Sequence, residues 1–124
     1  MDLDTLQFFE NMPGALALYE AFLDMLDQGV GEYAKTVQKT QITFKNPRVF
    51  ACVSKMRLKR ADRPKVYIVV TLGLGRRVED KRIAVSTEPY PGRWTHHVVV
   101  TSQSDMDAQL LAWVREAYAF ARQK

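Results

Sequence analysis

The alternation in KVYIVVTLG, residues 65–73, is the tightest constraint on how this chain folds. Val66, Ile68, Val70 and Leu72 fall on one side of an extended segment, and Lys65, Tyr67 and Thr71 fall on the other, because successive residues of a strand point to opposite faces. A helix would scatter those apolar residues around its axis, so a sheet with one buried side must run through the middle of the chain. Thr40–Lys45 repeats the pattern, with Ile42 and Phe44 to one side and Gln41, Thr43 and Lys45 to the other. Tyr33–Val37, Val49–Leu58, Arg82–Thr87 and Trp94–Thr101 bring the expected number of strands to five or six. Between them lie Asn46-Pro47, the charged tip KRADRP, the loop GLGRRVEDK and the turn EPYPGR.

Helical periods flank this middle. Asp4 is placed to cap a short first turn running to Phe9, and Pro13 fits the first turn of the helix that follows. In ALALYEAFLDMLDQG, Leu16, Tyr19, Leu23 and Leu26 recur at steps of three and four beside Phe22, and Gly29 suits a C-terminal stop. Near the other end, Ser104 and Asp107 have the spacing of a capping box. Met106, Leu110, Trp113, Val114, Ala117 and Ala121 then form one apolar stripe, with Arg122 and Lys124 suited to the helix dipole. Short connections favour antiparallel neighbours. The predicted fold is therefore α+β: a single antiparallel, meander-like sheet with the N- and C-terminal helices packed on one face. The 124 residues are expected to form one domain, 1–124.

Cys52 is the only cysteine, so no intramolecular disulfide can form. The start MDLDTLQ has neither the basic nor the apolar region of a signal peptide, and no apolar run approaches the ~18 residues of a membrane span. A cytoplasmic location with no membrane contact is the expectation.

A net charge of +4 conceals an uneven distribution. Residues 1–28 carry six acids and no Lys or Arg, residues 29–82 carry fourteen basic residues against four acids, and residues 83–124 balance at four and four. A basic middle can attract phosphates or acidic partners. It can equally keep sheet edges and hairpin tips soluble, and no aromatic or Gly-rich motif accompanies it here.

The one stretch that looks like chemistry is PGRWTHH, residues 91–97, which holds both histidines. Strand parity sends them to opposite faces: His96 with Trp94, Val98 and Val100, and His97 with Thr95, Val99 and Thr101. The first set is the more apolar, so His96 is expected against the helices and His97 outward. Two histidines on opposite faces and one cysteine are too few for a zinc site, and no metal or cofactor is expected. Cys52, in the apolar run VFACVSK, reads as a small buried hydrophobe. Nothing resembles G-x-S-x-G, a P-loop or H-E-x-x-H, and the GLG at 73–75 lacks the helical sequel of a dinucleotide fingerprint. No catalytic residue is assigned.

If the strands from residue 40 onward paired consecutively, the start of the Thr40 strand, the 59–64 tip and the 90–93 turn would share one end of the sheet. Lys45, Arg48 and the 76–82 loop would share the other. The first end then gathers Lys39, Lys59, Arg60, Arg63, Arg93, Trp94 and the histidines, with Thr40 beside them and Gln41, Tyr67 and His97 on its wet face. Such a cluster suits an anion. The expected ligand-binding set is Lys39, Thr40, Gln41, Arg93, Trp94, His96 and His97.

KTQITF (39–44), the 82–85 strand, RWTHHV and SDMDAQLLAWVREAY (104–118), with PGALALYEAFLD (13–24) before them, together resemble the bacterial domain-of-unknown-function 5655 family over about residues 6–121. The family pattern matches Lys39-Thr40 before the Ile-x-Phe strand, His96 rather than His97 in the last strand, and Asp107 and Ala117-Tyr118 in the last helix. Some members carry an N-terminal Cys/His metal ribbon; this chain has none, so the resemblance implies no metal. It names no activity. The expected function is a non-catalytic binding or accessory module for an anionic small molecule or a protein partner. Two other readings stand beside it. One is nucleic-acid binding through the basic 35–82 segment, which would weaken steeply with salt. The other is an enzyme acting on a phosphorylated or acidic small molecule, with His96 as acid–base and Lys39 or Arg93 holding the anion.

Overall fold

The computed structural model describes residues 2–55 and 66–123. Lys59, Arg60, Arg63, Lys65 and the end of the expected 49–58 strand lie outside the described residues. In chain order the elements are α1 (Leu3–Phe8), α2 (Ala15–Gly29), β1 (Ala34–Val37), β2 (Ile42–Lys45), β3 (Val49–Ser54), β4 (Ile68–Leu74), β5 (Ile83–Tyr90), β6 (Arg93–Val100), a 3-10 turn (Gln103–Asp105) and α3 (Ala108–Arg122). The chain is an α+β fold with one antiparallel sheet of six strands and helices at both ends.

The alternating segments became strands whose apolar sides meet the helices. Ile42, Phe44, Ala51, Val53, Ile68, Val70, Leu72, Leu74, Val98 and Val100 form one buried cluster with Phe8, Phe9, Tyr19, Phe22, Leu26, Leu110, Trp113, Val114, Ala117 and Ala121 from the helical segments. Burying a side chain of this size contributes roughly 1.5–3 kcal/mol, and the cluster draws on the helical segments at both ends and on β2, β3, β4 and β6. Helix α2 is rotated slightly from its expected stripe: Ala15 and Leu18 are buried, whereas Leu16 and Leu23 are half-buried.

The helix ends differ from expectation in instructive ways. Asp2 rather than Asp4 caps α1, accepting from the Thr5 N–H at 2.8 Å. The capping box belongs to Ser102 and Asp105 on the 3-10 turn, and Asp107 caps α3 by accepting from the Leu110 N–H at 3.0 Å. Ser-x-x-Asp spacing occurs twice in succession, at 102–105 and 104–107, and the sequence alone does not distinguish them. Gly29 lies inside α2, and Val30 takes the cap position.

A β-bulge re-aims one large side chain. Phe44 pairs with Ala51 but Lys45 pairs with Val49, which leaves Phe50 as the extra residue of β3. Phe50 thereby joins the helix side, 2% exposed, with its ring edge-on to Tyr118 at 4.9 Å. Tyr67, expected on the wet face, is 4% exposed; with Val69 it forms a small second cluster joined by Met12, Ala84 and Val99. Val66 precedes β4 and is exposed.

Strand order is the main departure. The sheet runs β1-β2-β3-β4-β6-β5, so β6 inserts between β4 and β5 instead of following in a meander. Strand β5 therefore runs parallel to β4, and the 75–82 segment must cross under β6 to reach its start. It does so on the helix side, where Val78 packs against the main core. Arg76 holds Glu116 of α3 through two 2.9 Å hydrogen bonds, and Arg82 reaches Asp107 while its guanidinium lies 5.1 Å from the Trp113 ring centroid.

Candidate functional site

The inserted strand redistributes the residues expected to form one site. Ile42, Val53, Val70 and Val98 are successive register partners, so the Thr40 end of β2 lies at the Val100 end of β6. Arg93 lies seven residues away along the strand direction, about 23 Å, and three strand spacings across. Lys39 and Thr40 are exposed in the β1–β2 turn, and Lys39 lines a shallow hollow with Asp4, Gln7 and Gln38. Arg93 and Trp94 belong instead to the end that holds Lys45, Arg48 and Arg76. The expected set does not converge: Lys39 and Thr40 are separated from Arg93, Trp94 and the histidines.

The histidines face opposite sides. His96 is 1% exposed on the helix side, and its Nε2 accepts the Val78 backbone N–H at 2.9 Å. An accepting Nε2 leaves the proton on Nδ1. Nδ1 is buried with no hydrogen-bond partner among the described residues. Burial pulls the His96 pKa below its ordinary value, against weaker upward pulls from the Leu72 and Trp94 backbone and from Glu116. His96 is thus the pin that fastens the crossover segment to β6. Trp94 shares its side and takes the Arg77 guanidinium over its ring at 5.8 Å.

His97 belongs to the outer face, within a row that crosses every strand. Thr36, Thr43, Cys52, Thr71, His97 and Val85 are successive register partners, and partners in an antiparallel pair share a face. Hydrogen bonds link parts of the row. Thr71 Oγ1 and His97 Nδ1 are 2.9 Å apart, Thr43 Oγ1 donates to Gln38 Oε1 at 2.6 Å, and Gln41 Nε2 donates to Thr43 Oγ1 at 3.1 Å. Gln41 and His97 therefore share a face, as expected, but sit three strands apart. Burial lowers the His97 pKa, helped by neighbouring His96. Cys52 is half-buried in this row and not in the main core. Burial pushes its thiol pKa up, partly offset by Thr43, so it is held as the weakly nucleophilic thiol.

On one side of the row lie Ser54, Val69 and Val99; on the other lie Gly73, Thr95 and Thr87. Arg93 reaches into the second set. A Cβ placed on Gly73 would stand 3.6 Å from its Nη2, so the guanidinium lies against the bare backbone of β4. The side chain is half-buried, and among the described residues it has no ion pair or hydrogen bond. Several cations of the basic middle do have partners: Lys35 with Asp2, Arg76 with Glu116, Arg77 with Glu79, and Arg82 with Asp80 and Asp107. Among the described residues no group of three or more His, Cys, Asp and Glu side chains is placed to hold a metal ion, and no helix is long and apolar enough to cross a membrane.

Thr36, Thr43, Thr71, Gly73 and Thr95 are the members of this surface that the sequence reading did not single out. Parity placed Thr43 and Thr71 outward, but nothing local states that Thr71 faces His97. That contact needs β6 beside β4.

No curated protein and no solved structure matches the chain. The model of one family, described as Domain of unknown function (DUF5655), matches residues 7–121 and so spans α2, all six strands and α3 up to its last residue. The chain belongs to the DUF5655 family.

Proposed function

We propose that this domain is a non-catalytic binding or accessory module that presents the outer face of its sheet to an anionic small molecule or an acidic protein partner. The observation that carries this reading is the division of labour between the two faces. The buried apolar residues of the helices belong to the inner cluster, while the outer face carries a half-exposed row of hydroxyl, thiol and imidazole groups with an unpaired guanidinium beside it. A polar surface that carries a guanidinium without a counter-ion among the described residues suits recognition better than covalent chemistry. Two of the groups that covalent chemistry could use are otherwise engaged: burial pushes the Cys52 thiol pKa up, and the His96 ring is occupied by Val78. A bacterial cytoplasm is the setting we infer, supported by a single cysteine in 124 residues.

The test is a thermal-shift series on purified protein with nucleotides, phosphorylated metabolites and dicarboxylates, run beside Thr43→Trp, which fills the row from its solvent side. A compound that raises the melting temperature of the wild type and loses that effect in Thr43→Trp or in Arg93→Ala supports the reading. Stabilisation untouched by both variants, or turnover of the compound, overturns it.

A further inference from the structure

We infer that Arg93, Thr71, His97 and Thr95 form an oxyanion subsite on the outer face, built to take one phosphate or carboxylate group of a small ligand. This rests on the outer face being the binding surface.

Three observations carry it. The first is the guanidinium. Arg93 lies against Gly73, half-buried, with no counter-ion among the described residues. A cation partly withdrawn from water and left unpaired is costly, and a planar fork of N–H donors recovers that cost when an oxyanion occupies it. Glycine at 73 leaves the floor of the subsite as backbone, with the guanidinium at van der Waals distance from the place a Cβ would take.

The second is the hydroxyl–imidazole pair. Thr71 Oγ1 and His97 Nδ1 are 2.9 Å apart, so one proton lies between them. If Thr71 donates, the neutral imidazole carries its own proton on Nε2. If His97 donates from Nδ1, the Thr71 hydroxyl proton is released to point elsewhere. Either tautomer leaves the pair one further donor.

The third is spacing. Gly73 and Thr71 are neighbours on the same face of β4, about 6–7 Å apart, and Thr95 pairs directly with Gly73. The guanidinium and the Thr71–His97 pair thus stand on either side of a gap that one oxyanion can bridge, with the Thr95 hydroxyl along its edge. No carboxylate belongs to these rows between β3 and β6: their members are Ser54, Cys52, Val69, Thr71, Gly73, Val99, His97 and Thr95. An anion arriving there meets donors and no opposing charge from them.

The subsite is tested by amide NMR titration of the purified protein with inorganic phosphate, glycerol phosphate and succinate at fixed pH and ionic strength. Saturable shifts at Thr71, Gly73, Thr95 and His97 are expected with at least one of them. Arg93→Ala should weaken that binding tenfold or more, Thr71→Val several-fold, and Lys39→Ala not at all. Arg93→Lys should recover only part of it, because a single ammonium cannot supply the fork. Response to the two phosphates but not succinate assigns a phosphate ligand, and the converse assigns a carboxylate. Shifts confined to the Thr36–Thr43 part of the row, or binding indifferent to Arg93→Ala, overturn the subsite while leaving the outer face as the binding surface. Absence of outer-face shifts with all three probes overturns the subsite. Failure of the wider reading is separate: it would show as a stabilising compound whose effect survives both Thr43→Trp and Arg93→Ala and which shifts no outer-face amide.

Discussion

His96 and Val78 are joined by a 2.9 Å hydrogen bond in which the backbone N–H of the crossover segment donates to a ring nitrogen of β6. The bond closes the one non-local step in the sheet. Segment 75–82 has to pass under β6 before β5 can start, and a crossing backbone needs partners for its polar groups. His96 supplies one from inside the core.

Removing that partner should cost stability without touching the outer face. His96→Ala loses a buried ring and leaves the Val78 N–H without its acceptor, and the two effects together are expected to cost about 2–4 kcal/mol. The measurement is the urea midpoint at pH 7.5. A cost below about 1 kcal/mol would mean that the crossover is held by its other anchors, Arg76 on Glu116 and Arg82 on Asp107.

Acid should weaken the fold from the same place. Burial holds the His96 pKa below its ordinary 6.5, so over the interval between the two values the unfolded chain binds more protons than the folded one. Stability is therefore complete above about pH 6.5 and declines as the pH falls toward the lowered value. His97, also lowered by burial, adds in the same direction. Asp2 and Asp107 are lowered from 3.8 and lose their contributions only at more acid pH, so they leave the pH 5–7.5 interval to the histidines. Urea midpoints from pH 8 to pH 5 should fall in the wild type and fall less in His96→Gln. Equal slopes in the two proteins would remove His96 as the cause.

Asp107 should show a separable cap and ion pair. It accepts the Leu110 N–H and faces Arg82 at 3.2 Å. Asp107→Asn keeps a capping oxygen and loses the charge, whereas Asp107→Ala loses both. The alanine variant is expected to cost about 1–2 kcal/mol and the asparagine variant less than half of that, read from thermal or urea unfolding. Equal costs would transfer the role of Asp107 from the cap to the Arg82 contact.

The β3 bulge makes opposite predictions for adjacent residues. Phe50→Ala should cost about 3–5 kcal/mol because the ring is buried against Tyr118, and Val49→Ala should stay within about 0.5 kcal/mol because Val49 is exposed. A strand without the bulge would reverse the order, since Ala51 and Val53 face inward. Urea unfolding of the two variants distinguishes the registers.

Much of this was legible in the residues themselves. The alternation of Ile42 with Phe44, and of Ile68 with Val70 and Leu72, is a local period, and it placed those side chains inward before any partner was known. The same rule put His96 and His97 on opposite faces, and the 3.6-residue period found the buried stripe of α3. Strand order is not local. Eight residues, 75–82, are enough for a hairpin or for a crossing under one strand, and their composition does not choose. Packing chose: Val78 found the core, its N–H found His96, and Arg76 and Arg82 found carboxylates on α3 and at its cap. That single choice moved Arg93 and Trp94 away from Lys39 and Thr40. It also set Thr71 opposite His97, because a contact between strands depends on which strands are neighbours, and neighbours are decided by the free energy of the whole core.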